Sequence, residues 1–263
     1  MREPLEIKGR VIGQGRPLVC VPIMAENRDK IVEEARRLVG LHTEMIEWRV
    51  DAFSGANSLN AIREVLAELE PLVKDTILVY TFRSKKQGGL LALEPEQIRD
   101  IREVAAESGV PDFIDVEIFE EKKPEKEIKK LQAMGTRVIA SHHDFHETPE
   151  QGVIHMLLEQ IYISGADVVK LALMPQTMRD VWKLMEETSR FHEHYPDQPL
   201  ITMSMGTMGV ISRIAGEFVG SCVTFGAGEK SSAPGQLPMD ELEEVLHILH
   251  KSVENETDSL VDE

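Results

Sequence analysis

Met45-Ile46-Glu47-Trp48-Arg49-Val50-Asp51 is a short run in which apolar and charged residues alternate. Side chains on a strand alternate faces, so Ile46, Trp48 and Val50 share one side while Glu47 and Arg49 share the other. Seven further β-rich runs lie at 18–25, 76–84, 113–119, 137–145, 168–174, 200–206 and 221–226. Between them come segments of helical periodicity such as 28–39, 96–107, 149–163 and 177–192, and a last one at 239–250. Strands alternating with helical patterns signal a parallel α/β sheet. The chain has 263 residues, close to the roughly 250 typical of a (β/α)8 TIM barrel, and eight such units favour a closed barrel over an open sheet.

Gly40, Gly109, Gly135 and Gly165 follow helical runs, as C-terminal caps do. The segment 5–17 alternates around Lys8-Gly9, a turn signal, and predicts an N-terminal β-hairpin able to plug the bottom of the barrel. Residues 1–253 then form a single domain. The acidic stretch 254–263 is poor in apolar residues and reads as a disordered tail.

The formal net charge is −17, with 29 Lys plus Arg against 46 Asp plus Glu, so the average surface repels a phosphate backbone or an anionic membrane. No nucleic-acid partner is expected. A small anionic substrate is compatible, because a few arginines inside a low-dielectric cleft outweigh a distant acidic shell. The N-terminus lacks a basic stretch followed by an apolar one, and no apolar run reaches the roughly 18 residues of a membrane span, so the reading is a cytoplasmic protein. Cys20 and Cys222 each lie within an apolar run, the usual setting of a buried free thiol.

Barrel strands are covered by helices outside and packed inside, so polar residues on them require a reason. The parity that turns Glu47 and Arg49 inward also groups Thr81 with Arg83, Asp115 with Glu117, and Ser141 with His143. Most of these lie toward the C-terminal ends of strands, where barrel enzymes build their sites. A structural alternative is that Glu47, Arg49, Arg83, Asp115 and Glu117 simply neutralise one another. Lys170 is the sharpest signal, being the only charge in Val168-Val169-Lys170-Leu171-Ala172-Leu173. Desolvation and nearby cations lower a lysine pKa, and the neutral amine attacks a ketone to give an iminium.

The histidine-rich run Ser141-His142-His143-Asp144-Phe145-His146 invites a metal, but His142 and His143 point to opposite faces, and no metal or other cofactor is expected. An imidazole beside an imine-forming lysine serves better in proton transfer. The pairs His192/His194 and His247/His250 fall on helical patterns and read as solvated surface. After the seventh strand, Arg213 offers a bidentate fork suited to a carboxylate. After the eighth comes Gly226-Ala227-Gly228-Glu229-Lys230-Ser231-Ser232-Ala233-Pro234-Gly235-Gln236, a polar turn fit for a phosphate cradle or a lid.

Glu47-Trp48-Arg49-Val50-Asp51, Thr81-Phe82-Arg83-Ser84, Ser141-His142-His143-Asp144-Phe145-His146, Val169-Lys170-Leu171-Ala172-Leu173-Met174-Pro175, Met203-Ser204-Met205-Gly206, Gly209-Val210-Ile211-Ser212-Arg213 and Ser231-Ser232-Ala233-Pro234-Gly235-Gln236 together resemble the signatures of type I 3-dehydroquinate dehydratases. The resemblance runs in order from about Leu5 to Lys251. It implies a homodimeric enzyme of the shikimate pathway that dehydrates 3-dehydroquinate, with Lys170 forming the Schiff base and His143 the general base and acid. It further implies that Arg213 grips the substrate carboxylate, that Ser232 and Gln236 close over it, and that Glu47 and Arg83 hold ring hydroxyls supported by Arg49. Two departures stand out. Gln87 precedes Gly88-Gly89 where the family often has a glutamate, and the first strand ends in Pro22-Ile23-Met24 where some members have a serine. A Schiff-base aldolase acting on a phosphorylated sugar is the rival enzyme, and a binding or regulatory barrel the rival from another class.

Overall fold

The structure is a computed structural model that describes residues 5–229 and 231–261, with side chains described as far as Glu254. Two short antiparallel strands, β1 (Leu5–Ile7) and β2 (Arg10–Ile12), form the hairpin. The parallel strands follow as β3 (Leu18–Ile23), β4 (Met45–Arg49), β5 (Ile77–Thr81), β6 (Phe113–Glu117), β7 (Arg137–Asp144), β8 (Val168–Leu173), β9 (Leu200–Ser204) and β10 (Val223–Phe225). Helices α1 (Arg28–Gly40), α2 (Leu59–Leu69), α3 (Pro95–Ser108), α4 (Pro124–Ala133), α5 (Gln151–Ile163) and α6 (Met178–His194) connect them in turn. Two short helices, α7 (Val210–Ile214) and α8 (Gly216–Val219), precede β10, and α9 (Met239–Val261) closes the described chain.

Neighbouring strands run β10-β3-β4-β5-β6-β7-β8-β9. The ring is completed between β9 and β10 by the Cys222 N–H donating to the Leu200 carbonyl (2.8 Å) and the Thr202 N–H donating to Ser221 Oγ (3.0 Å). The run at 221–226 is thus a shorter strand than its apolarity predicts, because Ser221 bridges the seam with its side chain. The runs 45–51 and 113–119 also end early as strands, at Arg49 and Glu117, and continue as single helical turns at Val50–Ala52 and Ile118–Glu120. Val50 and Ile118 remain buried there, so their hydrophobicity records burial and not strand pairing.

The alternation read from the sequence sorts the core into two shells. Val19, Val21, Ile46, Trp48, Tyr80 and Val169 face outward beneath the helices. Leu18, Cys20, Met45, Ile77, Val79, Phe113, Ile139, Val168, Ile201 and Val223 face inward and fill the lower half of the barrel. Helix starts follow capping chemistry: Asn27 accepts from the Lys30 N–H at α1, and Glu94 and Gln97 form a reciprocal box at α3 with Pro95 in the first turn. Gly109 takes the left-handed conformation that ends α3, as expected, whereas Gly40 is the last residue of α1 and not its cap. The backbone of α9 is helical past Glu254, where the sequence reads as a disordered tail; residues 262 and 263 lie outside the described residues. Among the described residues no helix is long and apolar enough to cross a membrane.

The hairpin turns through Lys8 (φ 49°) and Gly9 (φ 73°), both left-handed, as a tight two-residue turn requires. Ile12 is buried with the inward apolar residues, and Leu5 and Ile7 pack against them, so the hairpin covers the barrel bottom. Lys8 fastens it. Its ammonium donates to the carbonyls of Val73 (2.8 Å) and Thr76 (2.9 Å) and to Asp112 Oδ2 (2.6 Å), which also accepts from the Leu78 N–H. A hydrogen bond to a charged group contributes about 1.5–3 kcal/mol, so Lys8→Met is expected to lower unfolding stability in urea by an amount in that range. An unchanged urea midpoint would show that the hairpin is held by its apolar contacts alone.

Candidate active site

The inward polar residues occupy the upper half of the barrel, above the apolar filling. Glu47 and Arg49 come from β4, Thr81 from β5 with Arg83 just beyond it, Asp115 and Glu117 from β6, Ser141 and His143 from β7, and Lys170 from β8. Apart from His143, which is half-buried, all of them are buried. They form a connected network. Thr81 Oγ1 donates to Glu47 Oε1 (2.8 Å), and Arg83 donates to Glu117 Oε1 (2.6 Å) and Ser141 Oγ (3.1 Å) while pairing with Asp115 Oδ2 at 3.0 Å. Ser141 in turn donates to Asp115 Oδ1 (2.7 Å). Burial alone would raise the Asp115 pKa, but Arg83, Lys170 and the Ser141 hydroxyl bring it below the usual carboxylate value. Burial likewise opposes charge on Arg83, yet Asp115, Glu117 and Glu47 raise its pKa overall.

Lys170 stands alone along its own strand but not across the barrel. Its Nζ lies 3.6 Å from Glu47 Oε1, 3.7 Å from Asp115 Oδ2 and 4.3 Å from the centroid of the Phe225 ring. A cation over an aromatic face is favoured by the ring quadrupole, so Phe225 adds to the two carboxylates. Lys170 thus has no acidic neighbour in sequence, while the fold brings two carboxylates to it from other strands.

His143 faces the same cavity, and Gln87 determines how. Gln87 Oε1 accepts the His143 backbone N–H at 2.8 Å and lies 3.3 Å from Nδ1. Because a backbone N–H tolerates only an acceptor, the amide oxygen and not its nitrogen must face the histidine. Nδ1 then carries the hydrogen, and the Nε2 lone pair is left free. Desolvation, followed by the positive charges of Arg83 and Lys170, pushes the His143 pKa well below the ordinary imidazole value. The ring is consequently neutral at pH 7. His142 points the other way and packs edge-on against Phe119, with ring centroids 4.8 Å apart. No group of three or more His, Cys, Asp or Glu among the described residues is arranged to hold a metal ion.

The cavity is lined by Glu47, Arg49, Arg83, Gln87, His143, Lys170, Ser232 and Gln236, with Phe145, Ala172, Met203, Met205 and Phe225 as apolar walls. Ser232 and Gln236 bond each other: Gln236 Nε2 donates to Ser232 Oγ (3.0 Å), and its Oε1 accepts the Ser232 N–H (2.8 Å). Lys230 lies outside the described residues. Arg213 is the exception among the expected site residues, since it sits behind Met203 and beneath the loop. Its Nη2 donates to the Pro234 carbonyl (3.0 Å), Nη1 lies 3.9 Å from Met203 Sδ, and Nε has no hydrogen-bond partner among the described residues. Burial pulls its pKa down to about 10, so it stays charged at pH 7 without an acidic partner among the described residues.

The alternative of mutual neutralisation is realised for Arg83 with Asp115 and Glu117, so a ligand reaching Arg83 meets a guanidinium already engaged. Phe225 and Asp51 carry no assigned role in the sequence reading. Asp51 left a signal, an acid two residues beyond Arg49 in the same run, whereas nothing in the run around Phe225 marks it. His250, expected at the surface, is half-buried with Nδ1 2.7 Å from Glu217 Oε1.

A carboxylate in place of the Gln87 amide would favour the imidazolium, and a nearby opposite charge commonly moves a pKa by about one to three units. Gln87→Glu is therefore expected to raise the His143 pKa, so that the ring becomes protonated at higher pH than in the parent. NMR titration of the His143 ring in both proteins checks this, and an unchanged or lower value in the variant would uncouple residue 87 from His143.

The sequence pattern of the Type I 3-dehydroquinase family matches residues 19–253. The 3-dehydroquinate dehydratase of Bacillus licheniformis is 39% identical over 254 residues, spanning 96% of this chain and 100% of the relative. A crystal structure of the Clostridium difficile type I 3-dehydroquinate dehydratase, with covalently modified comenic acid, superposes with a TM-score of 0.91 at 40% identity, covering 96% of this chain and 99% of that one. The 3-dehydroquinate dehydratase of Geobacillus kaustophilus also gives 0.91, at 30% identity over 95% of this chain and 97% of its own. With the family pattern matched over residues 19–253 and the relatives aligned over nearly its whole length, the chain belongs to the type I 3-dehydroquinases.

Proposed function

We propose that this chain dehydrates 3-dehydroquinate to 3-dehydroshikimate through a Schiff base on Lys170, as a cytoplasmic homodimer in the shikimate pathway. The observation that carries the reading is the placement of a buried lysine amine and a neutral, desolvated imidazole on adjacent strands of one cavity. The covalently modified ligand in the Clostridium difficile relative adds support.

In this reading Lys170 passes one ammonium proton to His143 and adds as the neutral amine to the C3 ketone; the carbinolamine hydroxyl takes that proton back and leaves as water, which gives an iminium. Glu47, Asp115 and the Phe225 ring surround the nitrogen and favour its positive charge. His143 Nε2 removes the C2 proton, and the C–H electron pair moves into the C2–C3 bond as the iminium becomes an enamine. That pair then expels the C1 hydroxyl, which leaves as water with the proton carried by His143. Addition of water to the remaining iminium frees the ketone and restores the lysine. A base that is neutral at pH 7 and returns the same proton suits both halves of the step. Arg213 supplies the cation for the substrate carboxylate once Met203 and the Pro234 carbonyl yield, with Ser232 and Gln236 above it. Arg49 and Glu47 meet the ring hydroxyls, and Arg83, engaged by its own carboxylates, orders that side.

Borohydride added during turnover is expected to leave a reduced adduct on Lys170. In His143→Ala the unreduced adduct should accumulate in the mass spectrum while turnover falls by about 10²- to 10⁴-fold. Continued turnover by Lys170→Ala, or an adduct on a different lysine, would sink the assignment. Arg213→Ala should weaken substrate binding by about 10- to 10²-fold, the equivalent of roughly 1.5–3 kcal/mol for a charge-assisted contact. The comparison is a substrate analogue without the carboxylate, whose affinity should hardly change; equal losses for both ligands would refute the pairing.

A further inference from the structure

Asp51 does not line the cavity, yet three parts of the site converge on it. Its side chain is 0% exposed. Oδ1 and Oδ2 accept from Arg49 Nε and Nη2 at 2.8 Å each, and they also accept the backbone N–H groups of Arg83 (3.3 Å) and Leu90 (3.0 Å). Burial by itself would raise the pKa of such a group, but Arg49 and the two N–H donors hold it below the usual carboxylate value, so it is charged.

Two consequences follow from this geometry. The bidentate pairing uses the Nε–Nη2 edge of Arg49, so the guanidinium is aimed and its Nη1–Nη2 edge is left for the cavity it lines. Arg83 and Leu90 are the two ends of the turn that carries Gln87, and one carboxylate grips both ends. The turn has no slack, since a Cβ at Gly89 would run into the Arg83 carbonyl. Moving the Leu90 end therefore moves Gln87, whose oxygen holds His143.

We propose that Asp51 is a positioning residue that sets the orientation of Arg49 toward the substrate and, through the 83–90 turn, the hold of Gln87 on the His143 ring. This rests on His143 as base and Arg49 as a substrate contact. Asp51→Asn keeps the side-chain size but puts an NH2 donor against N–H groups. The variant is expected to raise KM and lower kcat, with kcat/KM falling by up to about 10²-fold, the size of loss that a small misplacement of reacting groups produces. The exchange-protected Nδ1–H signal of His143 should also weaken or vanish in its NMR spectrum. A residue that served stability alone would lower the melting temperature and leave KM and that signal unchanged in the folded protein, which would overturn the proposal. If Asp51→Asn does not fold, the paired replacement Arg49→Met with Asp51→Leu leaves no lone buried charge. Loss of the Nδ1–H signal is expected there too, and its persistence would equally overturn the proposal. Failure of the base assignment looks different: His143→Ala would retain turnover, while the response of the Nδ1–H signal to residue 51 would remain.

Discussion

Charge inside the barrel has to be matched, because removing an ion from water costs several kcal/mol unless partners compensate. Among the described residues, four carboxylates, those of Glu47, Asp51, Asp115 and Glu117, are buried in the barrel with four cations, those of Arg49, Arg83, Lys170 and Arg213. Three of the cations have acidic partners at 2.6 to 3.7 Å. Arg213 has none within reach among the described residues, although it balances the sum. The interior is thus neutral in total and uneven in detail. It has an acid-rich side around Arg83 and Lys170, and one unmatched cation beneath the final loop, where an anionic group is the natural complement. The formal net charge of −17 belongs to the whole chain and says little about this compartment.

Much of this was legible from strand parity. A charged residue on a strand buried on both faces can only point into the barrel, which is why the inward positions of Glu47, Arg49, Asp115, Glu117 and Lys170 follow from the sequence alone. The pairing among them was not legible, since it depends on register across strands and on how far each side chain reaches. Asp51 lies past the end of its strand, where the period-two rule lapses, so its grip on Arg83 and Leu90 had no sequence signature. Arg213 illustrates the opposite limit. Its chemistry was evident, but its position behind Met203 follows from the packing of two short helices that no periodicity announces. Hydrophobicity does not mark the strand ends, because Val50 and Ile118 are as buried in a turn as they would be in a ladder.

Gln87 shows how a neutral residue can take over part of what a charged one does. Its oxygen is committed by a backbone N–H, so the ring it faces has one tautomer available and one orientation. What it cannot supply is a counter-charge to offset the desolvation and the cations that lower the His143 pKa. Orientation and electrostatics, often delivered together by a carboxylate, are here separated.

The hairpin at the bottom has a consequence for traffic. With Ile12 seated on a floor of inward Leu, Ile, Val, Met and Phe side chains, the described residues close the lower end of the barrel beneath the charged upper chamber. Whatever enters, the ring, its protons and its water, leaves by the doorway it came through, past Ser232 and Gln236. The barrel is a vessel with a single mouth, and arrivals and departures must take turns.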